Sequence, residues 1–152
     1  MNLTIDHLIV CVGDLDEAAN NFKERLGLSS VEGGRHPGHG TANRIIPLGG
    51  CYIELLAVVD PSEAKDSTAG VDLAIEESLP FFIEWHVPED QMPGRTHVIH
   101  DREVYGIEEI VLSGDTARLT KWTDDVPAIR IVEGPSSIVS VSLATPEGRL
   151  AL

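Results

Sequence analysis

The chain has 152 residues, 42% of them hydrophobic, and a formal net charge of −14. That length suits one compact domain or two small modules sharing a core. The acidic balance disfavours nucleic acid and anionic membrane as partners, since both are bound by excess Lys and Arg, and no apolar run reaches the roughly 18 residues that a bilayer span needs.

The first residues, Met1 to His7, lack a basic segment and lead straight into a strand, so no signal peptide is expected and the expected compartment is the cytoplasm. Residues 4–12 form an apolar, β-branched run that predicts a strand. Asp14 is placed to cap a helix whose apolar stripe is Leu15, Ala18, Ala19, Phe22 and Leu26, with Gly27 as its stop. Strands are predicted at 28–33, 41–47 and 50–59, the last two joined by a tight hairpin at Leu48-Gly49-Gly50. Cys11 and Cys51 fall in predicted buried strands and are expected to be reduced.

The middle of the chain predicts a helix near 70–78, a strand Phe81–Val87 with Phe81, Ile83 and Trp85 in the core, and a long loop over 88–105. A weaker copy of the opening pattern follows. Ile107 to Leu112 reads as a strand, Ser113-Gly114-Asp115-Thr116 repeats the helix start, and Ala117 to Thr123 reads as a short helix. Strands are predicted at 127–133, 136–144 and 148–152. The fold class is therefore α+β, one domain over 1–152. It is built from a module at 3–60, a connecting helix, strand and loop at 61–105, and a module at 106–152.

Two residues stand out against their surroundings. His7 lies mid-strand in Ile5-Asp6-His7-Leu8-Ile9-Val10, and Glu54 in Tyr52-Ile53-Glu54-Leu55-Leu56. A carboxylate in an apolar strand is costly unless it is paired, protonated or metal-bound. The pair predicts either a cation held on one sheet face or a buried hydrogen-bonded His–Glu pair that binds nothing. Between them runs Gly33-Gly34-Arg35-His36-Pro37-Gly38-His39-Gly40-Thr41-Ala42-Asn43-Arg44, read as a polar turn. Arg35 and Arg44 suit an anionic ligand, because a guanidinium binds carboxylate bidentately. The spacing of His36 and His39 lets both imidazoles project to one side of the loop as candidate substrate-binding groups, and Thr41 and Asn43 could orient substrate oxygens; a solvated loop is the alternative. His86 is a further candidate for the ligand-facing side, while His97 and His100 are expected to be exposed. No phosphate loop, Cys-x-x-Cys pair or nucleophile elbow is present.

Ile5-Asp6-His7-Leu8, the Gly-Asp-Leu-Asp helix start, the segment Gly34 to Arg44 and Tyr52-Ile53-Glu54-Leu55-Leu56 together resemble the vicinal oxygen chelate superfamily, in its glyoxalase-like domain group. The resemblance covers residues 3–60 and is diffuse beyond. It implies paired βαβββ modules whose curved mixed sheets enclose a shared cavity, commonly with a divalent metal (Zn, Fe, Mn or Ni, which the ligand types do not separate), and it leaves a homodimer open.

On that basis the first and fourth strands of a module are neighbours, bringing His7 and Glu54 together as metal ligands. The second module offers Glu109, or Glu108 under an alternative alignment, as a third ligand. The fourth position falls on Leu152, which cannot ligate. Glu109 or His36 would move the proton. The implied function is a metalloenzyme acting on a small oxygen-rich or anionic substrate by Lewis-acid catalysis. The alternative is a metal-free protein that sequesters a small molecule in the same cavity.

Overall fold

The computed structural model describes residues 3–65, 79–124 and 126–152. It divides into two compact units: the described residues of Asp6–Ala69 with Trp85–Glu103, and those of Met1–Ile5, Gly70–Glu84 and Val104–Leu152. Each unit carries one four-stranded mixed sheet.

In the first unit the elements are β1 (His7–Cys11), α1 (Leu15–Leu26), β2 (Val31–His36), β3 (Thr41–Pro47), β4 (Tyr52–Val58) and a short α2 (Pro61–Lys65). α1 forms for the reasons its sequence states. The Asp14 side chain accepts from the Glu17 N–H, Gly27 closes the helix at φ 71°, and Lys23 and Arg25 lie in the last turn. Its half-buried residues are Leu15, Ala18, Ala19, Phe22 and Leu26, the predicted apolar stripe; the helix packs on β3 and β4.

The strand order is β1-β4-β3-β2. β1 runs parallel to β4, with His7 opposite Tyr52 and Ile9 opposite Glu54. β3 is antiparallel to both β4 and β2. Leu28, Ile46, Ile53 and Leu55 form the fully buried centre. The β3–β4 turn closes with Leu48 N–H donating to the Cys51 carbonyl. Gly94 lies against that turn so closely that a Cβ there would stand 2.8 Å from the Cys51 carbonyl oxygen. His100 ties the unit together: Nδ1 accepts from the Ser29 N–H at 3.0 Å and Nε2–H donates to the Pro47 carbonyl at 2.7 Å.

The second unit contains β5 (Gly106–Gly114), α3 (Thr116–Thr123), β6 (Ile129–Glu133), β7 (Ser137–Thr145) and β8 (Gly148–Ala151). Asp115 caps α3 through the Arg118 N–H. The strand order here is β6-β5-β7-β8, with β6 parallel to β5 and the other pairs antiparallel. Ile110, Val111, Leu112, Leu119, Val141 and Leu143 form its core.

The sequence of elements recurs between the modules as predicted, but the pairing does not. In the first sheet the opening strand is an edge beside the last strand; in the second it is interior, between β6 and β7. The match of Leu152 to Glu54 therefore fails, because β8 pairs with β7 and not with β5.

Other expectations shift. The strand expected at 28–33 is Val31–His36, so Gly33 to His36 and Thr41 to Arg44 belong to strands and the turn is residues 37–40. Phe81–Val87 forms no strand, and Phe81, Phe82 and Ile83 are exposed. Phe82 lies against the Trp122 ring and the Pro80 carbonyl accepts from the Trp122 indole, while the Trp85 indole donates to Asp6. The helix expected near 70–78 lies outside the described residues. The expected loop at 88–105 contains two single-turn helices, Glu89–Gln91 and Pro93–Arg95. Cys51 is buried but Cys11 is exposed, and both are reduced. His97 is exposed, whereas His100 is half-buried because both its ring nitrogens are bonded.

Candidate functional site

Strand geometry puts His7 and Glu54 on one face of the first sheet. Ile9 opposes Glu54 in the parallel pair, and His7 is two positions before Ile9. Ile45 opposes Glu54 across β3–β4, and Asn43 is two positions before Ile45, so Asn43 shares that face.

The side chains meet there. His7 Nε2 stands 3.8 Å from Glu54 Oε2, and the two side chains are 6% and 12% exposed. His7 Nδ1 is 2.6 Å from Asp6 Oδ2. Asp6 in turn accepts from the Trp85 indole N–H at 2.7 Å. On the far side, Asn43 Nδ2 donates to Glu54 Oε1 at 2.6 Å, while Asn43 Oδ1 accepts from the Gly34 N–H at 2.8 Å. The His7 ring stacks on Tyr52 with centroids 4.7 Å apart. Burial, reinforced by the carboxylates of Asp6 and Glu54, raises the Tyr52 phenol well above its ordinary value, so it stays protonated at neutral pH.

This geometry has a direct chemical consequence. In a neutral ring the Nδ1 proton goes to Asp6, which fixes the tautomer and leaves the Nε2 lone pair on the Glu54 side. A lone pair and a carboxylate 3.8 Å apart are complementary to a proton or a cation placed between them. Two donors each about 2 Å from one ion stand at most about 4 Å apart, so His7 and Glu54 fit two positions of a metal shell, with Asp6 and Asn43 as the outer partners that metal ligands commonly have. Among the described residues no group of three or more His, Cys, Asp and Glu side chains is arranged to hold a metal.

Glu109, the predicted third ligand, lies in the second unit with Oε2 at 3.6 Å from both Arg130 Nε and Arg149 Nη1. Glu108, the alternative, accepts from Arg149 Nε at 3.0 Å. The register explains Arg130. In the first sheet Glu54 opposes the residue two after His7; in the second, Arg130 opposes Val111, the residue two after Glu109. A guanidinium occupies the position where the first sheet has a carboxylate, and it neutralises Glu109 within its own sheet.

The other predicted residues divide. His36 Nδ1 lies 3.0 Å from Thr41 Oγ1 across the β2–β3 pair. Arg35 forms ion pairs with Glu63 at 3.0 Å and Asp60 at 3.3 Å, and Glu63 also accepts from the Gly38 N–H at 2.5 Å. Those contacts lower the Glu63 carboxyl, through the Gly38 N–H first and Arg35 second, and raise the Arg35 guanidinium. The hairpin is thus fastened to α2, and Arg35 is engaged there. Arg44 donates to Ser30 Oγ at 3.0 Å and pairs with Asp16 at 3.3 Å, which ties β3 to the start of α1. His39 and His86 are exposed. Asp6, Tyr52 and Trp85 were not singled out from the sequence; the one signal available was an acid immediately before the histidine.

Residues 5–77, a little under half of the chain, match the family described as the glyoxalase-like domain. This stretch is glyoxalase-like, and the resemblance to the vicinal oxygen chelate superfamily rests on it. A crystal structure of a hypothetical protein from Staphylococcus aureus has a similar fold, with a TM-score of 0.60 at 16% identity over 88% of this chain and 87% of that one. No curated protein matches the chain significantly. Among the described residues no helix is long and apolar enough to cross a membrane.

Proposed function

We propose that this chain is a glyoxalase-like metalloenzyme in which His7 and Glu54 bind a divalent ion beside a small oxygen-rich or anionic substrate. The observation that carries the reading is the facing pair itself, His7 Nε2 and Glu54 Oε2 at 3.8 Å with Asp6 on the opposite ring nitrogen. A bound ion supplies Lewis-acid polarisation of vicinal oxygens. The chain's own residues do the rest. Asp6 holds the Nδ1 proton of His7, Asn43 orients Glu54, and the protonated Tyr52 closes one side of the imidazole by stacking. His36, whose Nδ1 is engaged by Thr41, is the candidate for moving a substrate proton through Nε2. Glu109 is the weaker candidate for ligand or base, because either role requires displacing two guanidinium groups.

A metal-free binding protein is the second reading, and the donor count among the described residues favours it: two facing ligands are fewer than the three that catalytic zinc sites generally use. Metal analysis of protein purified without a nickel column, followed by Zn²⁺ and Mn²⁺ titration, separates the two. The metalloenzyme reading expects one ion per chain, lost in His7→Ala and Glu54→Gln. A wild-type chain that takes up neither ion would leave the binding-protein reading.

A further inference from the structure

β2 and β3 pair in register at Glu32 with Arg44 and again at Arg35 with Ala42, and the register shifts between them. Two residues of β2, Gly33 and Gly34, therefore oppose one residue of β3, Asn43. That two-against-one count is a β-bulge, a device that re-aims a side chain. Here the Gly34 N–H turns away from the ladder and donates to Asn43 Oδ1 at 2.8 Å, and the amide's other end donates to Glu54 Oε1 at 2.6 Å. Both ends of the amide are committed, one as acceptor and one as donor, so its orientation has a single solution.

We infer that the Gly33-Gly34 bulge positions Glu54 through Asn43, which makes Gly33 and Asn43 positioning residues for the site. The inference rests on the reading of Glu54 as a site residue. Gly33 is required by space alone. A Cβ at that position would lie 2.0 Å from Asn43 Oδ1 and 2.8 Å from its Cγ. A side chain free at its far end could swing aside, but the Asn43 amide cannot do so without releasing either the Gly34 N–H or Glu54. The effect of a methyl group at residue 33 therefore passes to a carboxylate on β4 by way of one side chain on β3.

The test is a double-mutant cycle with two readouts, the His7 ring signals of metal-free protein by NMR and the Zn²⁺ affinity by calorimetry. Gly33→Ala, Asn43→Ala and the double variant are compared with Glu54→Gln and with Gly13→Ala, where an added Cβ meets nothing within 4 Å. Each single variant should move the His7 signals in the direction that Glu54→Gln moves them and weaken Zn²⁺ binding about 10–100-fold. The double variant should match Asn43→Ala alone, since Gly33 acts only through that amide. Gly13→Ala should change neither readout. Additive losses, or a Gly33→Ala chain with wild-type His7 signals, would overturn the inference. If the wild type binds no Zn²⁺ but the His7 signals still follow the cycle, the metal reading falls and the positioning role stands. Should Gly33→Ala fail to fold, Asn43→Ala alone decides, because unmoved His7 signals there break the relay at its middle link.

Discussion

At the scale of single residues, Asp6 defines what His7 can do. A carboxylate on Nδ1 holds the proton there and leaves Nε2 on the Glu54 side, and the Trp85 indole keeps the carboxylate in place through its second oxygen. Asp6→Asn removes the charge and offers the ring either a carbonyl acceptor or an amide N–H donor, so the tautomer is no longer fixed. We expect ¹⁵N spectra of the variant to show mixed His7 tautomers where the wild type shows the Nδ1–H form, together with about 10–100-fold weaker divalent-ion binding. A retained Nδ1–H pattern would show that Asp6 is a bystander. His7 and Glu54 were legible in the sequence because a charged group in an apolar strand must be accounted for. Trp85 was not legible, because an aromatic residue in an apolar run reads as core and its indole partner is distant in the chain.

At the scale of elements, the hairpin β2–β3 illustrates how composition can mislead. Two histidines, two arginines and several glycines within a dozen residues read as a ligand-binding loop, yet part of that chemistry serves local docking. Gly40, at φ +64°, sits so close to α2 that a Cβ would lie 2.2 Å from the Asp60 carbonyl oxygen; only glycine satisfies both the conformation and the approach.

Glu63 fastens the turn through Gly38 and Arg35. The Asp60 carboxyl is likewise held low, chiefly by the Ser62 hydroxyl and the Glu63 N–H. Because both folded-state values are depressed, their contribution is complete above the ordinary carboxylate range and is lost as pH falls through the lowered values. We expect the Gly38 amide to lose protection from solvent exchange on strong acidification, and Glu63→Gln to reproduce that loss at neutral pH with little change in thermal midpoint. Exchange at Gly38 that ignores both would mean that the turn holds itself.

Local signals served α1 well, since its cap, stripe and stop are all within the helix. They failed at Phe81–Val87, where alternation described a strand but no ladder partner takes it up among the described residues. They also failed at the second sheet, whose order depends on pairings that no local pattern encodes.

At the scale of the whole molecule, the two modules share a sequence of elements and differ in how the strands are joined. Arg130 in the place of a carboxylate, and β5 in the interior of its sheet, mean that the second module does not repeat the geometry of the first. Pattern matching along the chain could recover the repetition, because the helix starts and turns recur. It could not recover the divergence, because register lies between strands.

The parallel pairing of β1 with β4 also bears on how the site comes into being. Asn43, Glu54 and the glycines of β2 belong to two hairpins that close over short stretches of chain, whereas His7 reaches Tyr52 and its neighbour only when the whole intervening module has been enclosed. Short-range pairings cost less loop entropy and form sooner. The carboxylate half of the site is thus expected to be in place in the folding transition state, and the imidazole half to arrive afterwards. Chevron analysis should give Ile46→Val, in the hairpin core, a φ-value nearer one, and Leu8→Ala, on β1, a value nearer zero that appears chiefly as faster unfolding. The reverse pattern would mean that the N-terminal strand nucleates the sheet. With the expected order, the Glu54 side of the pair is complete before the His7 side arrives, although β1 precedes β4 along the chain.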